Sequence, residues 1–260
     1  MVEPSLPSFA EWHAEPSWET IDFISDLHLS EETPRGFDAW AAYMGNTPAD
    51  AVVILGDLFE AWVGDDARHA GFEARCTEVL TATAAVRPVA FMVGNRDFLV
   101  GEAMLAACHV RALADPTVLV AGDQRLLLSH GDALCLSDLQ YQRIRAMARS
   151  AAWQRDFLLQ PLEARRAQVR HFRLQSELHN RARSGTPYAD VDLPTAVQWM
   201  RAVAAPTFIH GHTHRPATET LTPGLVRHVL SDWDLDHTEP ERAEVLRWHR
   251  GVLTRLPLLP

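Results

Sequence analysis

There is no lysine in this chain; all 24 basic residues are arginine. Cysteine is nearly as scarce. Cys76, Cys108 and Cys135 are odd in number and far apart, so neither a disulfide framework nor a thiolate metal site is indicated, and all three read as small buried apolar side chains. Long apolar runs are missing too: none approaches the roughly 20 residues that cross a bilayer. The first twenty residues carry Glu3, Glu11, Glu15 and Glu19 and no arginine, the wrong sign for a secretory signal. Together these absences lead to the expectation of an intracellular globular protein. A net charge of −10 argues against a nucleic-acid partner.

What is present is ordinary in amount and uneven in placement. The 260 residues are 47% hydrophobic and 22% charged, enough for one large core with room for an insertion. Ten arginines (Arg143, Arg145, Arg149, Arg155, Arg165, Arg166, Arg170, Arg173, Arg181 and Arg183) fall in one stretch, against only Asp156, Glu163 and Glu177. A basic segment in so acidic a chain is expected to face an anion.

Five short apolar runs each end on polar residues. Ile21-Asp22-Phe23-Ile24-Ser25 leads to Asp26, and Val52-Val53-Ile54-Leu55 leads to Gly56-Asp57. Val89 to Val93 leads to Gly94-Asn95, Leu126 to Ser129 leads to His130, and Thr207-Phe208-Ile209 leads to His210-Gly211-His212. Such runs suit strands buried on both faces. Helical patterns between them, as from Phe72 to Val86, indicate an α/β fold, in which ligands bind beyond the carboxyl ends of the strands. Further strand runs lie near Val226–Leu230, Val245–Trp248 and Val252–Leu256.

The residues at those ends are metal donors. Asp26 and His28 are two apart and would share a side if the backbone stays extended. Asp57, Asn95 and His130 follow, and His212 and His214 repeat the alternation. Two carboxylates, four imidazoles and one amide, without a thiolate, suit Mn2+, Fe or Zn2+ better than Mg2+. Seven donors exceed one tetrahedral site and suit two ions about 3.5–4 Å apart that share a carboxylate. A lone Asp or His after a strand is usually a cap or a surface residue; five strand ends of this kind are not a coincidence.

The order Asp-x-His, Gly-Asp, Gly-Asn-x-Asp, His and Gly-His-x-His, spanning residues 26 to 214, resembles the calcineurin-like metallophosphoesterases. The wording is narrower still. Ser25 to Leu29, Leu55 to Asp66 (with Phe59-Glu60-Ala61-Trp62), Gly94-Asn95-Arg96-Asp97-Phe98-Leu99, His130 to Cys135, Asp138 with Tyr141-Gln142, and His210 to Pro216 resemble the UDP-2,3-diacylglucosamine hydrolase branch of lipid A synthesis. The resemblance implies a β-sandwich flanked by helices (four-layer αββα) with a helical insertion cap. It also implies two divalent ions, Mn2+ foremost, and hydrolysis of a UDP-linked diacylglucosamine lipid to UMP and the sugar 1-phosphate. One ion would take Asp26, His28, Asp57 and His214. The other would take Asp57, Asn95, His130 and His212, with Asp57 bridging. His210 would then stand outside the metal shell, and Asp97 and Asp132 would orient ligands. Arg96, beside Asn95, would be a phosphate donor, with a structural ion pair as its alternative. Catalysis would rest on Asp57, Asn95, Arg96 and His130.

In the resembling branch the segment between the fourth and fifth ligand-bearing strands is a cap that holds acyl chains. Here Ile144, Met147, Ala151, Val169 and Phe172 recur at helical spacing, and Trp153, Phe157, Leu158, Leu159 and Leu162 are apolar nearly all round. The branch's substrate contacts map onto Asp138, Tyr141, Ser176, Asn180 and Arg183, beside Asn95, Arg96 and His212. Arg183 is a departure where lysine is usual. The expected organisation is a leader at 1–20 (a disordered extension or a misplaced start), a core at 21–134 and 191–260, and the cap at 135–190. Arginines beside apolar side chains also suit peripheral contact with the cytoplasmic face of the inner membrane; no obligate protein partner is indicated. The acidic loop Ser231 to Asp236 has no assigned role. Rival readings are another nucleotide pyrophosphatase, a nuclease, and a binding scaffold on the same fold without activity.

Overall fold

The computed structural model describes residues 6–182 and 189–258. Strand β1 (Ala10–His13) and β2 (Thr20–Ile24) are followed by α1 (Pro34–Asn46), β3 (Ala51–Leu55), α2 (Gly71–Ala84) and β4 (Val89–Met92). Then come α3 (Glu102–Ala107), β5 (Arg111–Leu113), β6 (Thr117–Ala121) and β7 (Gln124–Ser129). Helices α4 (Leu139–Ala148), α5 (Ala151–Leu158), α6 (Leu162–Ala182) and α7 (Leu193–Ala202) separate these from β8 (Thr207–His210). The chain ends with β9 (Ala217–Thr222), β10 (Leu225–Val229), β11 (Glu244–His249) and β12 (Val252–Pro257).

The strands form two six-stranded sheets, ordered β1-β6-β7-β8-β10-β9 and β12-β11-β2-β3-β4-β5. Alternation along each strand sorts its side chains between layers. Ile21, Phe23, Val53, Leu55, Leu126, Leu128 and Ile209 meet between the sheets. Ile24, Val52, Ile54 and Phe91 face α1 and α2 through Phe37, Trp40 and Leu80. On the far side, Leu127 and Phe208 pack against Trp199 and Met200 of α7. The result is the four-layer αββα sandwich. The five apolar runs are continuous because both their faces are covered.

In the second sheet β2, β3 and β4 are adjacent and parallel, and in the first β7 and β8 are adjacent and parallel. Their carboxyl ends therefore open on one edge of the sandwich, which places the donor residues together.

The structure bears on two expectations. Residues 1–20 are not a detached leader where described: β1 pairs in parallel with β6, and Trp12 packs edge-on against Trp18 with centroids 5.6 Å apart. Pairing satisfies the edge groups of β6 that would otherwise stand open. The basic segment, in turn, finds much of its anion within the protein. Arg145 donates to the buried Asp132 at 2.7 Å, Arg166 pairs with Glu73 at 3.2 Å, and the buried Arg165 holds Asp66 and the Val63 carbonyl.

Within 135–190, Trp153 stacks on Phe157 at 4.9 Å and meets Phe98 at 6.0 Å. Phe157 is buried in the helix-facing core of the second sheet. These two aromatics fasten the helices to the sandwich. Leu139, Ile144, Met147, Leu158 and Phe172 on α4, α5 and α6, and Leu159 just after α5, remain exposed.

Candidate metal centre

The donors sit on a backbone held in an uncommon conformation. Asp26, His28, Asp57, His212 and His214 all have φ between 50° and 67°, the left-handed region that costs a non-glycine residue on the order of 1–3 kcal/mol and that clusters at functional sites. Neighbouring backbone holds it there. Leu27 and His28 both donate to the Asp57 carbonyl, and Asp26 donates to that of Gly56. Gly94 is required by close approach: a Cβ there would lie 2.1 Å from Asp57 Oδ1 and 2.5 Å from the Asp57 nitrogen.

All seven donors converge. The Nε2 atoms of His28 and His214 are 3.2 Å apart, and His214 Nε2 is 3.5 Å from Asp26 Oδ1. Asp57 Oδ2 lies 3.7 Å from His130 Nε2 and 4.0 Å from His28 Nε2. Asn95 Oδ1 is 3.0 Å from His130 Nε2 and 2.7 Å from His212 Nδ1. Asp26, His28 and His214 form one group whose donor atoms lie within 4.8 Å of one another, and Asp26, Asp57 and His130 form a second.

Hydrogen bonds around the cluster aim the lone pairs inward. His130 Nδ1 donates to the Leu55 carbonyl at 2.9 Å, which leaves Nε2 as an acceptor facing the Asn95 oxygen. The Asp26 carboxylate is gripped by Ser25 Oγ and the His212 amide, and Asp57 Oδ1 by the Arg96 amide at 2.8 Å. Acceptors that face acceptors in a buried cluster repel one another unless a cation or protons lie between them. The donor set fits divalent ions on that ground.

Electrostatics agree. Burial disfavours a charged ring at His130, yet the carboxylates of Asp57, Asp26 and Asp132 push its pKa up to about 9. His214 is likewise raised against burial, to about 10, by Asp232 and Asp26. His212 falls to about 4 through burial and the neighbouring His130. The raised values at His130 and His214 mark the cluster as a place that stabilises positive charge.

His210 has partners away from the seven donors. Its Nδ1 donates to the Gly211 carbonyl and its Nε2 accepts from the buried Arg227 at 2.8 Å. Burial and Arg227 lower its pKa to about 3, so the ring stays neutral. Asp97 accepts from the Gly94 and Leu58 amides and ties the two ligand loops together; burial and the Asp57 charge raise it to about 7.

Asp138 and Tyr141 already have protein partners. The Asp138 carboxylate caps α4 through the Tyr141 amide, and the Tyr141 hydroxyl donates to Asp132 at 2.7 Å. Ser176 and Asn180 fall on α6, but their side chains, like all of Arg183, lie outside the described residues. Arg96 reaches Glu60 at 3.2 Å, and Glu60 also lies 2.9 Å from His28 Nδ1. Asp232 of the acidic loop lies 3.5 Å from His214 Nδ1 and accepts from Arg242. Sequence reasoning assigned no role to Glu60 or Asp232. The Phe-Glu-Ala-Trp wording was the only signal for Glu60, whereas nothing local marks Asp232.

Residues 19–216 match the model of the calcineurin-like phosphoesterase family. The UDP-2,3-diacylglucosamine hydrolase of Chromobacterium violaceum is 45% identical over 217 residues, covering 82% of this chain and 90% of that protein. The enzyme of the same name from Ralstonia nicotianae is 42% identical and covers 92% of both chains. That from Xanthomonas oryzae pv. oryzae is 39% identical, covering 82% of this chain and 91% of its own. With its donors gathered at the strand ends, the chain belongs to the calcineurin-like phosphoesterase family.

Proposed function

We propose that this enzyme hydrolyses the pyrophosphate of UDP-2,3-diacylglucosamine to UMP and 2,3-diacylglucosamine 1-phosphate, a step of lipid A synthesis. The observation that carries the reading is a complete seven-donor cluster at five strand ends, in a chain 39–45% identical to hydrolases of that name.

Asp26, His28, Asp57 and His214 would hold one divalent ion and Asp57, Asn95, His130 and His212 the other, with Mn2+ as the proposed metal. Bound there, two such ions supply Lewis acidity and activate water near neutral pH. The protein's own contribution is geometric. Arg96, 36% exposed at the rim, has a guanidinium suited to the charge that develops on phosphoryl oxygens. Glu60 holds it beside His28. Because the departing group is already a phosphate, no protein acid is assigned to protonate it.

Helices α4 to α6 are proposed as the acyl-binding cap. Their exposed apolar side chains, with Arg143 and Arg170 nearby, also suit peripheral contact with the anionic cytoplasmic face of the inner membrane. No described helix is long and apolar enough to cross a membrane. The test is UMP release from the diacylated and the unacylated UDP-sugar. Strong preference for the former supports this reading; equal rates would favour a general nucleotide pyrophosphatase, and no release with ions bound would favour a scaffold.

A further inference from the structure

Beside the donor cluster lies a cavity of about 220 Å³, with the ligands His28 and His214 in its wall. Ser30 and Glu32, before α1, and Trp233 and Asp234, from the acidic loop, are among the other lining residues. Its shape is held from behind: Asp236 accepts from the first amides of α1, and Asp232 is clamped by Arg242.

The cap meets the other part of the cluster. The Tyr141 ring stands 5.8 Å from that of His212, and Arg149 donates to the Gly94 carbonyl beside Asn95. A phosphoanhydride laid across the ligands therefore sends one substituent toward the cap and the other toward the cavity. The chemistry of the two sides differs. On the cap side are exposed Leu139, Ile144 and Met147. On the cavity side hydroxyls, carboxylates and imidazoles outnumber the apolar Leu27, Trp233 and Leu235, with no arginine among the described lining residues.

Cavities for drug-sized ligands run to about 300–1,000 Å³, so this one suits a smaller, polar fragment. Carboxylates accept hydrogen bonds without donating. They suit the ribose hydroxyls and ring N–H of a nucleoside and repel a second phosphate. Resting on the substrate reading above, we infer that this cavity is the nucleoside subsite. It takes the uridine, with Glu32, Asp234 and Ser30 as its hydrogen-bond partners, and so directs the sugar phosphate and its acyl chains under the cap.

Glu32 is exposed, so Glu32→Trp can block the cavity mouth without entering the core. In Mn2+-loaded protein it should weaken inhibition by UMP about tenfold or more, while inhibition by 2,3-diacylglucosamine 1-phosphate moves less than about twofold. Photolabelling of the wild type with 5-azido-UMP should mark peptides containing residues 27–36 or 232–237. An unchanged UMP inhibition constant, or label confined to residues 139–182, overturns the subsite. If the wild type hydrolyses UDP-2,3-diacylglucosamine and either of those results is found, the subsite alone falls. If it does not hydrolyse that lipid but UMP binding depends on Glu32 as stated, the substrate reading falls and the subsite stands.

Discussion

His28 and His214, 186 residues apart in the chain, bring their Nε2 atoms to 3.2 Å, each from a backbone in the left-handed region. The contact joins the carboxyl end of β2 in one sheet to that of β8 in the other, and a shared cation or proton is what makes it favourable.

The metal-free protein should therefore respond to pH in the opposite sense to the loaded one. Without metal, the raised pKa values of His130 (about 9) and His214 (about 10) contribute stability that is full below the unfolded value near 6.5 and is lost as pH rises through 9 to 10. Metal needs the neutral rings, so its binding should release protons and strengthen across that same window. Thermal melts of apo and Mn2+-loaded protein from pH 6 to 10 check this. Parallel pH trends in the two forms would refute it.

Asp57→Ala and His130→Ala should each lower kcat by about 10³-fold or more, because each takes a donor from the centre of the cluster. Circular dichroism should show the fold retained, since the sheets do not depend on either side chain. Full activity in either variant would remove the two-ion assignment.

Gly94→Ala tests the close approach of the ligand loops. The added methyl collides with Asp57 backbone as well as its carboxylate, so neither can yield cheaply. We expect a loss of about 1–3 kcal/mol in urea unfolding, together with reduced metal content by elemental analysis. Normal metal content would show that the loops can part without disturbing Asp57.

Arg165→Ala should loosen the cap. The buried guanidinium donates to the Val63 carbonyl and to the more exposed Asp66, which leaves a loss of about 1–3 kcal/mol after allowing for solvent at the aspartate. Limited proteolysis within α5 and α6 should quicken. KM should rise more for the diacylated than for the unacylated UDP-sugar. An equal rise for both would separate this latch from acyl binding.

The five buried strands and their polar ends were legible because strands covered on both faces are written as unbroken apolar runs. β6, Thr-Val-Leu-Val-Ala, is such a run as well and even leads to Gly122-Asp123, but that pair is the hairpin turn into the antiparallel β7, so its carboxyl end points away from the cluster. β1 was missed because it becomes a strand only by completing the edge of β6, through a pairing more than a hundred residues long in sequence. The arginine cluster was visible in the chain, but its counter-ions were not. Asp66 and Glu73 come from distant elements and Asp132 from the loop just ahead of α4, and they convert what looked like an anion-seeking surface in part into fastenings for helices α4 to α6.

The amino-acid sequence by itself determined which donors exist and that each follows a buried strand. Residue type and hydrophobic periodicity are local properties, and they suffice for the reaction class. Only the tertiary structure decided the rest: the 3.2 Å meeting of His28 and His214, the inward lone pair of His130, Glu60 and Asp232 behind the imidazoles, and the cavity beside them. Each depends on where two separate sheets end relative to one another, and packing between layers sets that distance, not any short stretch of chain.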